Sequence, residues 1–292
     1  MVVRTWAMRG TLHLVATRDL GWTLAPLGPR MLANDQRRRT QLGLDAATCE
    51  RALPLIRDAL ATRGPLTRAE LAAVLAPHGI PTAGQAMPHL LYYAAYRALI
   101  CFGPDHAGEP TYALIEQWLG QRFRPAPVIP PGQMVPEEAR LSGLATRYIH
   151  AYGPARPEDF AAWAGVPLSL ARASWRLLAP VLAEIEVSGE KTWIAKGLIP
   201  WLDRLESTSD RAPLVNLIPA YDPYLLGYHS HNLVVAPEFA RRIHPGGGVY
   251  HNALLVDGRA MGGRWAGDGH VAHPAAARPA GRDRGAVRGA RA

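Results

Sequence analysis

The chain has 292 residues, 48% of them hydrophobic, which is enough to bury a core and to divide into two to four modules. Its two cysteines, Cys49 and Cys101, fall in unrelated contexts and exclude a disulfide framework and a zinc cluster, which suits the cytoplasm, and no eighteen apolar residues run together as a membrane span would. The formal charge of +8 points to a polyanionic partner, although residues 266–292, with five Arg and two Asp, supply +3 of it and leave +5 (8 − 3) for the rest.

The start, with Arg4, Arg9 and His13 among its apolar residues, does not read as a signal peptide. Residues 3–15 are bulky and β-branched, broken by Gly10, and predict a hairpin. Thr17 is expected to cap a short helix, and Arg37, Arg38 and Arg39 to lie in a solvated linker, with phosphate contact as the lesser option. Residues 45–63 have a helical pattern with an early break expected at Pro54. Thr67 and Glu70 have the spacing of a capping box, so a helix begins there and ends near His78 and Gly79. A longer helix is predicted over 83–99, with Met87, Leu90, Leu91, Ala94 and Ala98 returning at helical spacing. Its remaining face carries Gln85, His89, Tyr92, Tyr93 and Arg97, which read either as base and phosphate contacts or as a solvated face with tyrosines half in the core. Residues 100–102 and 111–114 then flank a polar tip at 103–110.

The scheme repeats. GPLTRAELAA at 64–73 returns as GPARPEDFAA at 153–162, 89 positions later (153 − 64), again with a helix before it and a helix and hairpin after it. Helices are expected over 136–152, 158–164 and 169–178, with Ser169, Arg172 and Arg176 off the apolar stripe of the third. Residues 185–187 and 191–194 make the second hairpin around the turn 188–190, and Lys191 at its tip is a candidate phosphate contact partly cancelled by Glu186 and Glu190. Helix, short helix, turn, helix, hairpin is the order of a winged helix-turn-helix, a module whose usual partner is DNA. Residues 120–133 read as an extended linker. Beyond Pro213 short strands are expected at 214–219, 233–235 and 253–256, with a turn at Asp257-Gly258. The fold class is therefore α+β, mainly α, with tandem winged helix-turn-helix modules followed by a β-rich C-terminal region.

The connection at 219–232 is unusually aromatic. Tyr221, Asp222, Tyr224 and Tyr228 read either as the lining of a substrate cleft or as a carboxylate and its neighbours tying a turn together. His229 and His231 share a face if the segment is extended, but two imidazoles without a third ligand make a poor metal site, and no metal or other cofactor is expected. His13 in the first hairpin is a candidate for either a DNA approach or a structural hydrogen bond.

RTWAMRGTLHLV at 4–15, PAYDPYLLGY at 219–228 and LLVDGRAMGGRW at 254–265 resemble the bacterial winged-helix alkylpurine DNA glycosylases of the AlkZ and YcaQ type, over about residues 2–265. The resemblance implies three tandem winged helices and a β-rich region around a DNA channel, and excision of N-alkylated purines, crosslinked ones included. In that family catalysis is assigned to a Gln-x-Gln or Gln-x-Asp motif in the first winged helix, which positions a water near an anomeric carbon turning oxocarbenium-like. Gln36, Gln41, Gln85, Gln117, Gln121 and Gln133 form no such pair, so no catalytic residue is carried over and this chain is expected to be inactive in base release. The expected domains are residues 1–40 as the remnant of a first winged helix with an orphaned wing, 41–119 and 134–200 as the second and third winged helices joined by 120–133, 213–265 as the β-rich region, and 266–292 as a disordered or aberrant tail where resemblance stops. The expected partner is double-stranded DNA, alkylated or crosslinked, bound by a monomer away from any membrane. A noncatalytic tandem winged-helix regulator is the alternative.

Overall fold

The computed structural model describes residues 1–123, 135–206 and 212–263. Most of the linker expected at 120–133, and all of 266–292, lie outside them. The protein is of mixed α and β structure and divides into two compact units, Met1–Arg140 and the residues from Leu141 onward.

The first unit opens with the expected hairpin, β1 (Val2–Trp6) and β2 (Leu12–Ala16), in which Val3 stands opposite Val15. It is not an orphaned wing. Val3, Ala7 and Val15 are buried in a cluster with Tyr96 and Cys101, and the Trp6 ring lies 5.9 Å from Tyr92 and 4.9 Å from Phe102. The apolar exposure foreseen for the hairpin is confined to Val2, Leu12 and Leu14 on the strands and to Met1 before them.

A long helix, α1 (Leu20–Gln41), follows a 3-10 turn at Thr17–Asp19 and replaces the short helix and linker expected there. Pro26 and Pro29 lie inside it, where each removes a backbone donor. Packing outweighs that cost. Leu24, Leu27 and Met31 are buried, each worth about 1.5–3 kcal/mol in transfer terms. Gly28 lets the Tyr96 backbone approach so closely that a Cβ would sit 3.0 Å from the Tyr96 carbonyl oxygen. Arg37, Arg38 and Arg39 are thus the last turns of a helix. Arg39 is buried, paired with Asp35 at 3.1 Å, donating to the Leu32 carbonyl at 3.0 Å and lying 4.9 Å above the Tyr93 ring.

Helix α2 (Ala46–Arg63) is N-capped by Asp45, whose carboxylate accepts from the Thr48 amide at 2.7 Å, and Pro54 sits within it without ending it. Cys49, Ala52, Ile56 and Leu60 bury one side of this helix on both sides of the proline, so tertiary packing overrides the expected break. The pair β3 (Leu66–Thr67) and α3 (Arg68–Leu75) carries the predicted capping box: the Thr67 hydroxyl accepts from the Glu70 amide and the Glu70 carboxylate from the Thr67 amide at 2.8 Å. Gly79, with φ +69°, turns the chain beyond it. Then come α4 (Ala86–Tyr96), shorter at both ends than expected, and β4 (Ile100–Phe102), β5 (Thr111–Leu114) and α5 (Ile115–Leu119). The sheet order is β3-β5-β4, with Leu66 opposite Tyr112. Leu71, Leu75, Leu90, Leu91 and Ile100 fill the core between helices and sheet.

The second unit repeats this order with α6 (Glu137–Tyr152), α7 (Pro157–Ala164), α8 (Leu168–Leu177), β6 (Leu182–Val187) and β7 (Glu190–Ala195), followed by α9 (Ile199–Glu206). Ala155, which holds the place of Leu66 in the repeated phrase, bridges Trp193 of β7 as Leu66 bridges Tyr112 of β5. Its core is aromatic, with Tyr148, Phe160 and Trp175 packed together. Further on, β8 (Val215–Ile218), the single turn α10 (Pro223–Leu226), α11 (Pro237–Ile243), β9 (Ala253–Val256) and β10 (Arg259–Gly263) enclose a smaller core of Leu225, Val235, Phe239 and Leu255. The sheet order is β10-β9-β8, and β9 and β10 meet at the predicted Asp257-Gly258 turn. The strand expected at 233–235 is instead a turn, with one parallel bridge from Val235 to Ala260. Helix α11, with Pro237 at its first position, was not foreseen. No described helix is long and apolar enough to cross a membrane.

Candidate nucleic-acid interface

The two third helices carry the polar residues singled out by their spacing, and their surroundings differ. In the first unit α1 packs along α4. His89 is held by Asp35 of α1 through its Nδ1 at 2.8 Å, and Tyr92 is half-buried against Trp6 and Tyr96. Tyr93 was expected on the open face, but it is only 6% exposed, and its hydroxyl donates to Glu50 of α2. Arg97 donates to the same carboxylate and to the Tyr93 oxygen at 3.0 Å. The Tyr93 hydrogen bond is the chief cause holding the Glu50 carboxyl below its ordinary value, while burial, reinforced by Glu50, pushes the Tyr93 phenol up. Tyr93 and Arg97 therefore work inside a network, and Gln85 remains fully outward.

In the second unit α8 buries Ala171, Ser174 and Trp175 and leaves Ser169, Arg172 and Arg176 in solvent. Arg172 reaches back to Glu158 of α7 at 2.7 Å. Burial of Glu158 works against its ionisation, but the hydrogen bond from Arg172, aided by that guanidinium's charge and by Arg156, prevails and keeps its pKa below the ordinary value. Arg176 has no ion pair among the described residues. Lys191, near the tip of the β6–β7 hairpin, pairs with Glu184 at 2.7 Å, an exposed pair of the kind worth no more than about 1 kcal/mol and readily exchanged for a phosphate. An open cavity of about 490 Å³ lies between α8 and this hairpin, lined by Arg172, Arg176, Trp175, Trp193 and Glu184. Two of the four residues predicted in this module, Arg172 and Arg176, line it.

The aromatic connection is mostly structural. Asp222 caps α10 by accepting from the Tyr224 amide at 2.9 Å. The Tyr224 hydroxyl donates to the Gly258 carbonyl, and the Tyr228 hydroxyl to the Tyr152 carbonyl, each at 2.7 Å. Burial pushes both phenols up, Tyr228 to about 12, so they act as hydrogen-bond donors and not as bases near neutral pH. The His229 amide donates to the buried carboxylate of Asp159 at 3.0 Å, and Tyr221 stands exposed. Around His229 a second cavity of about 440 Å³ is lined by His231, His244 and Tyr250; burial pushes the His231 imidazole down, and its Nε2 lies 3.2 Å from the Tyr250 hydroxyl. His13, also pushed down chiefly by burial, is hydrogen-bonded to the Thr11 carbonyl, in keeping with its structural reading.

The model of the family described as DNA glycosylase AlkZ-like matches residues 1–282. The chain belongs to that family. It is similar to an interstrand DNA cross-link repair glycosylase of Streptomyces sahachiroi, with 26% identity over 280 residues, covering 89% of this chain and 69% of the relative. The solved structure of the DNA glycosylase AlkZ of the same organism superposes with a TM-score of 0.72 at 23% identity, over 90% of this chain and 70% of that one, which speaks for the fold. The AlkZ-like match runs past Trp265, where the motif-based resemblance ended.

Sequence reasoning missed the acidic partners Glu50, Asp35 and Glu158, which decide which cations are free. Glu158 lies fourteen positions from Arg172, and nothing in that spacing announces a contact. Trp193 was visible as a strand residue, but its place on the wall of a cavity follows from the pairing of β6 with β7, which sets it opposite Glu184.

Proposed function

We propose that this chain binds duplex DNA through tandem winged helices, α2-β3-α3-α4-β4-β5 and α6-α7-α8-β6-β7, the second being the stronger contact. The observation that carries the reading is the pair Arg172 and Arg176 on the open face of α8 beside Lys191 of the adjoining hairpin. Arg176 has no ion pair among the described residues, and Arg172 and Lys191 sit in exposed pairs whose carboxylates a phosphate can displace, so this helix and wing offer the cations that phosphates require. The sequential order of elements and the equivalent bridges of Leu66 and Ala155 support the duplicated winged-helix reading.

Family membership supports a reading of the chemistry. The relative's name speaks of interstrand cross-link repair, and we take damaged DNA, with N-alkylated or crosslinked purines, as the substrate class of this chain's site. The reaction of the family would be hydrolysis of an N-glycosidic bond. With no Gln-x-Gln or Gln-x-Asp among its residues, the 292-residue polypeptide is proposed to bind without releasing base. Two measurements test this. Fluorescence anisotropy with labelled duplexes, unmodified and alkylated, should show salt-sensitive binding, and chromatography of alkylated DNA incubated with the protein should show no free 7-methylguanine. Release of 7-methylguanine would refute the inactivity. Binding that is sequence-selective and indifferent to the lesion would favour a regulator.

A further inference from the structure

The cavity between α8 and the β6–β7 hairpin has the chemistry of a nucleotide site. At about 490 Å³ it falls within the range of small-molecule pockets, roughly 300–1,000 Å³. Two indoles form its apolar wall, Trp175 and Trp193, edge to face with centroids 6.5 Å apart at 82°. Trp193 is partly exposed at the cavity wall, with the Lys191 ammonium 6.0 Å from its ring centroid. The charged groups are sorted by their partners. Arg172 is engaged by Glu158 and Glu184 is neutralised by Lys191, so of the charged side chains lining the cavity Arg176 is the one without an ion pair among the described residues. One further group is unsatisfied: the Nε1 donor of Trp175, a residue only 5% exposed, has no hydrogen-bond partner. An apolar aromatic wall and a free guanidinium together ask for a flat ring joined to an anion.

We propose that this cavity takes one unstacked nucleotide of a DNA strand, its base lying against Trp193 and its phosphate on Arg176. Base stacking on an aromatic side chain tolerates any base, so the site recognises the absence of pairing and not a sequence. The inference rests on the DNA-binding reading given above and adds a preference for locally opened duplex.

The test uses the full chain and two labelled duplexes that are identical except that one carries a single unpaired 2-aminopurine. The wild type is expected to bind the bulged duplex roughly 5- to 150-fold more tightly than the paired one, the span that one stacked base corresponds to, and to quench the 2-aminopurine emission. Trp193→Ala should abolish both the preference and the quenching while still binding the paired duplex, and Trp193→Phe should restore both. Arg176→Ala, an exposed substitution that spares the fold, should weaken binding of both probes. Equal affinity of the wild type for the two duplexes, or a preference that survives Trp193→Ala, would overturn the nucleotide site and leave duplex binding standing. Failure of the wild type to bind either probe at low salt would overturn the nucleic-acid reading itself.

Discussion

Replacing arginines one at a time separates cations that face DNA from cations spent inside the protein. Each phosphate contact releases counterions and contributes about 0.9 to the slope of log Kd against log salt. Arg176 has no ion pair among the described residues, so Arg176→Ala should lower that slope by about 0.9. Between 50 and 200 mM salt, a fourfold change, that is a difference of about 3.5-fold in how much affinity is lost. Arg97 presents the opposite case. Its guanidinium is held by Glu50 and by the Tyr93 oxygen at 3.0 Å, so Arg97→Ala removes one member of a neutral pair and should leave the slope unchanged within error. Anisotropy titrations of one duplex at four or five salt concentrations measure both slopes. A slope that falls for Arg97→Ala and stays for Arg176→Ala would refute the reasoning, because it would place α4 and not α8 against the phosphates.

Asp159 accepts from the amides of Arg156 at 2.8 Å and His229 at 3.0 Å, so Asp159→Ala orphans two donors and should cost roughly 2–6 kcal/mol in urea unfolding; a loss under about 1 kcal/mol would show that water replaces the carboxylate. The His231 pKa is lowered by burial, so the unfolded chain takes up that proton first on acidification, and stability should fall as pH drops through and below the ordinary histidine value. His231→Gln should flatten the pH dependence of the urea midpoint between pH 7.5 and 5.5, and an unchanged profile would assign it to other groups, His13 among them. Burial raises both thiols, Cys101 to about 12, so neither Cys49 nor Cys101 should react with a disulfide reagent in the native protein and both should react in denaturant.

Local chemistry was legible where it is self-contained. The Thr67 and Glu70 capping box, the hairpin around Gly10 and the turn at Asp257-Gly258 are each decided by a few neighbouring residues, and they stand where their spacing put them. Pro54 misled for the opposite reason. Pro26, Pro29 and Pro54 lower helix propensity locally, and the helices through them are held by contacts with residues far along the chain, such as Tyr96 against Gly28. The same holds for Arg39, which reads as one of three solvated arginines until α4 sets the Tyr93 ring beneath it. In the connection at 219–232, a cleft lining and a tied turn were both open in the sequence, because a phenol's partner is invisible there, and Tyr224 and Tyr228 turn out to hold backbone carbonyls.

The asymmetry between the two modules was nevertheless written in their third helices. AMPHLLYYAAY, residues 86–96, contains no Asp, Glu, Lys or Arg, and a helix apolar on nearly every side must be covered on nearly every side. Helix α1 covers it, with Asp35 meeting the one imidazole that faces outward. LSLARASWRL, residues 168–177, confines its buried residues to a narrow stripe and sets two arginines one helical turn apart in solvent. The two stretches share the Gly-Pro frame and the strand pairing and differ where the third helix meets its surroundings. One holds it as a packed element, and the other has the charge, the indoles and the open cavity that a strand of DNA would need.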